Sequence, residues 1–505
     1  MPIPAHILAV ERPKNTVVYV YGKSKDRYGV KARIGCRHRN GKNYPVNGPT
    51  VGHIIDGVYV PLPEPENEPA SVSQAPVDIK DWAGEELLIK EGKELLDELY
   101  SVYDRKDSER IFCIAVLRVL NPGIKDCELK EACDQSFLSE RFPDCSLSGN
   151  LVSRFQKDLG KACSRIVKFN RNRAASIEIS DSVLIDGTLK TNDSRINTFS
   201  EWSRKGKLKG RRDLSILYAF DLTKQKPVCS QVFPGNMLDL TSCSDFLITN
   251  DIQKGLVICD KGFPASAIEE LLTERSELKY LNPLRRSAKI AVDHRMYNYE
   301  NVVPGEDGIQ YRKSKVEGKH KWIYSFRNPR KAAKEEQDWV LRHSREGTYN
   351  DGEYQKARIK FGTIAFESNL DAAPEEIYRM YSTRWEIELV MRYYKSSLEF
   401  DETRVQSDEA VIGAEFIDFI SVCLTFRIKN LFEKEELLDN RTYKQILRIL
   451  KHAKKVRMDG KEWTLVKTNK NQIEILEKLG VLPASETEEK PAKRKRGRPK
   501  KSAWL

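Results

Sequence analysis

From residue 181 the chain sets down short apolar runs in an order that few folds accommodate. "DSVLID", "DLSILYAFD" and "PVCSQVF" follow one another, each β-rich and of strand length. A helical stretch, "NMLDLTSCSDFLITND", precedes "GLVICD", and a second, "PASAIEELLTE", precedes "LKYLNPL". Three strands in a row, then helix, strand, helix, strand, predict a mixed α/β sheet rather than a strictly alternating one. Two of these strands end in aspartate. Asp186 closes "VLID" before Gly187, and Asp260 closes "LVICD" two residues before Gly262. Asp before Gly is a common turn pair, so either aspartate alone reads as structural. Two of them beyond strand ends, where open α/β sheets collect ligands, ask for more.

A third carboxylate lies on a long helix. Pro374 suits a first helical turn, Glu375 and Glu376 favour the positive end of the helix dipole, and no Gly or Pro follows until Gly413. Ile377, Met380, Ile387, Met391, Tyr394 and Leu398 make one apolar stripe at 3.6-residue period. Tyr381, Arg384, Glu388 and Lys395 share one edge of it. Arg384 and Glu388 by themselves would be an ordinary i,i+4 pair on a solvated face. With Asp186 and Asp260, Glu388 completes a set of three acidic groups that would repel one another unless a cation sat between them. Hard oxygen donors suit Mg²⁺ or Mn²⁺, and a pair of such ions about 3.5–4 Å apart clamps the attacking and leaving oxygens of a phosphodiester.

The remaining chain sorts by texture. Residues 1–62 alternate in β-like runs ("NTVVYVYGK", "YGVKARIGCRHR", "GVYVPL") and form a candidate DNA-binding domain; 63–79, rich in Pro, Glu and Ser, read as a linker. Residues 80–175 turn helical, with Ser148 and Asn150 as helix starters, and are a second candidate for end-DNA binding. The sheet pattern fills 181–285, a mostly β insertion 286–370, the Glu388 helix and its successor 371–433, and a helical region 434–482. Residues 483–505 are too charged to fold alone.

Bulk properties narrow the class. No apolar run approaches the roughly 18 residues of a membrane span, and the first residues lack a signal-peptide pattern. The ten cysteines are scattered without CxxC pairs, and the seven histidines show no ligand spacing, which argues for reduced thiols in a cytoplasm-like compartment and against a zinc site. A net charge of +12 fits a polyanionic partner.

With these residues in hand, the chain resembles the DDE transposases of the insertion sequence 4 family. That family's third-carboxylate region carries Tyr, two residues, Arg, three residues, Glu, six residues, Lys, and Tyr381, Arg384, Glu388 and Lys395 match every spacing. Asp260, Gly262 and Phe263 match its second-aspartate region, and Asp186, Gly187 and Thr188 its first. The resemblance implies an RNase H-like mixed-sheet catalytic core with a mostly β insertion. It implies cleavage of double-stranded DNA and strand transfer through hairpin ends, with two Mg²⁺ or Mn²⁺ ions on Asp186, Asp260 and Glu388. Tyr381, Arg384 and Lys395 would grip the cut strand. Transposon ends and target DNA are the implied partners, joined by a homodimer in a prokaryotic, nucleoid-associated setting. Two alternatives stand: an idle transposase-derived DNA-binding protein, and an RNase H-like nuclease without strand transfer. Trp322 and Trp339 could stack on an unpaired base, though buried core aromatics are the commoner outcome. In the tail, Arg496-Gly497-Arg498-Pro499 resembles an AT-hook, against a plain basic tail as the other reading.

Overall fold

A computed structural model of the chain describes residues 3–21, 27–39, 42–62, 77–192, 194–203, 210–237, 239–259, 269–382, 402–403, 405–458 and 461–483. It divides into two compact units, Met1–Val77 and Asp78–Leu505.

The first unit is an antiparallel sheet of β1 (Thr16–Val20), β2 (Arg27–Arg39), β3 (Lys42–Ile55) and β4 (Val58–Pro61), paired in that order. Val18, Tyr28, Val30 and Ile54 make its small core, with Ile7 from a short helical turn. β3 was not expected, because Pro45, Gly48, Pro49 and Gly52 all argue against a strand. It survives because its ladder with β2 slips repeatedly between Val30 and Gly35, where bulges absorb residues that cannot pair.

The second unit is built on a mixed sheet, nine-stranded among the described residues. β5 (Val77–Asp81) lies outside it. β6 (Ser182–Thr191), β7 (Asp213–Asp221) and β8 (Lys226–Pro234) form an antiparallel meander. β9 (Gly255–Cys259) then pairs parallel to β6, and β10 (Leu278–Leu284) parallel to β9. Beyond β10 the sheet continues antiparallel through β14 (Thr363–Ser368), β13 (Trp322–Arg327), β12 (Gln310–Lys315) and β11 (Asn301–Val302). The strands after residue 286 thus extend the same sheet. The short β15 (Lys454–Met458) lies between β16 (Thr464–Leu465) and β5, so segments read as linker and as C-terminal helices meet in one small sheet.

Alternation sends successive residues of each strand to opposite faces. Val183 and Ile185 of β6 join Leu217, Ala219, Val257 and Cys259 in one apolar cluster, covered by Phe246 and Leu247 of helix Asp239–Thr249. Leu184 joins Ile216, Tyr218, Phe220 and Ile258 in the larger core on the other face. That core is organised around helix Asp408–Lys434, 27 residues long, which packs on β8 and on helices Arg105–Leu120 and Gly149–Lys161. The contact with helix Gly149–Lys161 is close because two glycines permit it. A Cβ on Gly160 would stand 1.8 Å from the Glu409 carbonyl oxygen, and one on Gly413 1.9 Å from that of Gln156. No described helix is long and apolar enough to cross a membrane.

Candidate active site

β6 positions the first of the expected carboxylates. Leu184, Asp186, Thr188 and Lys190 share one face by the two-residue period, the face toward helix Asp408–Lys434. Asp186 is half-buried and accepts a hydrogen bond from the Gly187 amide at 2.9 Å. It lies opposite Tyr218 of β7 in the ladder. Tyr218 is 5% exposed and packs on Phe419 of the long helix at 6.4 Å between ring centres. Burial, reinforced by nearby Glu415 and Asp418, raises the Tyr218 pKa well above the usual phenol range.

Four residues on, Lys190 enters a buried ionic cluster that the sequence did not reveal. Its Nζ donates to Glu415 Oε1 at 2.8 Å and to Asp418 Oδ2 at 2.5 Å. Asp418 Oδ1 accepts from Arg118 Nη1 at 2.6 Å, and Arg118 Nη2 reaches Asp126 at 3.0 Å. Gln156 Nε2 closes the chain onto Asp126 at 2.8 Å. Burial alone would lower the Lys190 pKa, but Asp418 and Glu415 outweigh it and hold the ammonium above its ordinary range. Burial pushes the Glu415 carboxyl up, against the pull of Lys190, and neighbouring Asp418 adds repulsion. The cluster fastens β6 to the long helix a few residues past Asp186. A signal existed: Glu415 and Asp418 interrupt the otherwise apolar "AVIGAEFIDFISVCL".

The chain that follows β6 is tied to the segment leading into the same helix. Thr403 donates its amide to the Thr191 carbonyl at 2.9 Å, and Asn192 Nδ2 to Val405 at 3.1 Å. The Thr198 amide and hydroxyl both reach Asp408, at 2.6 and 2.8 Å. Arg211 bonds Glu402 at 2.8 Å.

Tyr381 lies on a helix over residues 374–382, where Ile377 is fully buried and Met380 packs against the core, as the apolar stripe requires. The Tyr381 ring is partly buried, 4.4 Å from that of Phe366 on β14. β14 is separated from β6 by β10 and β9, three strand spacings or about 14 Å. Tyr381 therefore stands beside the sheet's extension and not against Asp186. Asp260, Arg384, Glu388, Lys395, Arg496 and Arg498 lie outside the described residues. Among the described residues no group of three His, Cys, Asp or Glu could hold a metal ion. Trp322 is buried at 6% exposure, as a core aromatic would be, and the half-buried Trp339 stacks on His343 at 3.8 Å between ring centres.

Residues 180–424 match the family model of the transposase DDE domain. This match supports a DDE transposase. The transposase span runs from just before β6 into helix Asp408–Lys434, and so takes in Asp186, the sheet from β6 to β14, and the Lys190–Glu415–Asp418 cluster. Two solved transposase structures are similar. The piggyBac transposase synaptic complex with hairpin DNA shares 10% sequence identity at a TM-score of 0.40, covering 73% of this chain and 76% of that one. The Mos1 transposase paired-end complex with left transposon end shares 14% at a TM-score of 0.14, covering 31% and 58%. No curated protein matches the chain.

Proposed function

We propose that the chain is a cut-and-paste DNA transposase of the insertion sequence 4 type, with an RNase H-like core whose catalytic carboxylates are Asp186, Asp260 and Glu388. The observation that carries the reading is the register between β6 and β9. Ile185 pairs with Cys259 on parallel strands, and the next residue of each chain is Asp186 and Asp260. Support for Glu388 comes from its flanks. Before it, the helix over 374–382 lies beside β14, and after it Thr403 is bonded to Thr191, five residues past Asp186. The strand order β8-β7-β6-β9-β10, antiparallel then parallel, supports the RNase H-like reading, and the strands after residue 286 that of a β-rich insertion.

An all-oxygen donor set of three carboxylates fits Mg²⁺ or Mn²⁺, two ions in this reading. When bound, such ions activate the attacking water or 3′-hydroxyl and stabilise the leaving 3′-oxygen. The protein's part is positioning. Arg384 grips a phosphate through its fork, Lys395 acts as a point charge, and Tyr381 offers a hydroxyl to the cut strand once its helix approaches DNA. Arg496 and Arg498 add minor-groove contacts from the tail. Two copies join two transposon ends, in the cytoplasm of a prokaryotic cell.

The test uses the purified full-length protein, labelled transposon-end duplex, and Mg²⁺ or EDTA. Nicking followed by hairpin ends with Mg²⁺, and none with EDTA, is the expected result. Binding without cleavage under any divalent cation would leave an idle DNA-binding protein; cleavage without hairpins or joining would leave a nuclease. Deleting residues 485–505 should weaken binding more on A·T-rich than on G·C-rich duplex, and equal losses would leave a plain basic tail.

A further inference from the structure

The helical region before β6 holds a cavity that the catalytic reading does not use. It has a volume of about 450 Å³ and lies between the first turn of helix Arg105–Leu120 and one face of helix Gly149–Lys161. Arg154, Phe155 and Asp158 recur at helical spacing along that face, and Arg165 comes from helix Cys163–Ala174.

Two buried donors in its lining lack acceptors. Tyr103 is 4% exposed and Arg110 6%. Tyr103 Oη and Arg110 Nε have no hydrogen-bond partner among the described residues. Burial raises the Tyr103 pKa well above the usual phenol range, so its oxygen keeps the proton it would donate. The Arg110 guanidinium is held in place over the Phe155 ring, 4.8 Å from its centre. Three exposed cations add to the lining. The side chains of Lys106, Arg154 and Arg165 make no hydrogen bond or ion pair among the described residues. The two carboxylates of the lining are already engaged: Asp107 with Arg110 at 3.5 Å, and Asp158 with Lys161 at 3.3 Å.

A buried donor without an acceptor costs about 1–3 kcal/mol. An occupant that supplies acceptor oxygens and negative charge relieves both donors and meets the unpaired cations. An apolar or cationic occupant does neither. We propose that this cavity is a phosphate-binding site, and that on the transposase reading it seats one phosphate of the DNA backbone away from the point of cleavage. The chain's net charge of +12 and the exposed cations favour a polyanion over a small phosphate ester as the source.

The test uses full-length protein, a labelled DNA duplex titrated at several salt concentrations, and adenosine monophosphate titrated by calorimetry. Two variants are compared with wild type: Arg154→Gln with Arg165→Gln, and Tyr103→Phe. The double variant should bind duplex about tenfold more weakly, with a log–log salt slope reduced by about one to two. Tyr103→Phe should weaken binding several-fold while leaving the denaturation midpoint of the free protein unchanged or raised, because the lost hydroxyl has no partner among the described residues. If wild type binds duplex and both variants match it in affinity and slope, the backbone source is overturned with the transposase reading intact. If wild type binds no duplex, the transposase reading fails, and the nucleotide titration decides alone. Wild-type binding of the monophosphate that both variants lose keeps the phosphate site with a small ester as its ligand. No monophosphate binding in that case overturns the site.

Discussion

On one side of β6, Val183 and Ile185 sit among Phe246, Leu247 and Tyr280; on the other, Lys190 is locked between Glu415 and Asp418, with Asp186 four residues before it. One strand, read at odd and even positions, meets hydrocarbon and charge. The apolar face gains stability in proportion to area removed from water, and loses it gradually as side chains shrink. The ionic face is held by compensation. Each charge there is tolerable only while its partners remain, so removing one group disturbs all of them. The asymmetry suits a sheet that must hold an acidic residue in a fixed place. Asp186 projects toward a helix fastened by ion pairs with defined geometry, while the opposite face supplies bulk cohesion.

The sharpest way to break this comparison is Asp186→Asn. Asparagine keeps the shape and one acceptor for the Gly187 amide, so unfolding free energy should change by about 0.5 kcal/mol or less. Cleavage of labelled end duplex should fall on the order of a thousandfold or more, with DNA affinity retained. A large stability loss in denaturant titrations would place Asp186 with the structural groups instead.

Lys190→Met comes next. It leaves Glu415 and Asp418 buried with Arg118 as their remaining nearby cation, and unfolding free energy should drop by about 3–5 kcal/mol. Adding Glu415→Gln and Asp418→Asn should recover at least half of that in urea titrations. A loss below about 1 kcal/mol for Lys190→Met would show that the cluster is not coupled.

A third measurement takes the contrast to a buried carboxyl with no ion-pair partner among the described residues. Glu85, 4% exposed on helix Ala83–Glu91, has its pKa raised by burial to about 7 from about 4.5, with Asp81 adding repulsion. The folded state therefore holds this proton more tightly than the unfolded chain. Its contribution is complete below pH 4.5 and is lost as pH rises through about 7. Stability measured across that window should decline by up to about 3 kcal/mol from this group, and Glu85→Gln should flatten the decline. The same slope in both proteins would remove Glu85 as its source.

The smallest effect is expected next door to the largest. Ile185→Val removes one methylene from the apolar face and should cost about 0.5–1.5 kcal/mol in denaturant titrations, with cleavage and binding unchanged. A drop in cleavage there would show that packing on the apolar face sets the position of Asp186.

The strands carrying these residues are readable in the chain because "VLID" and "VICD" are apolar runs of strand length between turn residues, as sheets covered on both faces require. The mixed α/β class follows from their order. β3 is not readable, since the bulges that admit Gly48 and Pro49 are a property of its pairing with β2. Nor is the ionic cluster: a lysine followed by Thr191 and Asn192 looks like the start of a turn, and its partners lie 225 and 228 residues away. Asp260 stands out, like Asp186, as the end of an apolar run, whereas Glu388 and the groups around it stand out from an ordinary solvated helix edge through the spacing they share with a family pattern.

The bond between Arg118 and Asp418 spans 300 residues of chain. A ribosome adding about 5–20 residues per second needs roughly 15–60 s to travel that far. For that interval the helices before β6 wait with their inner faces bare, because the long helix they close upon has not been made. Newly synthesised copies thus pass through a stage in which Phe112, Phe155 and Phe169, all core residues of the finished molecule, are open to whatever apolar surface is nearby. Expression of truncated forms ending before residue 408 should reproduce that stage permanently, as aggregation or chaperone capture.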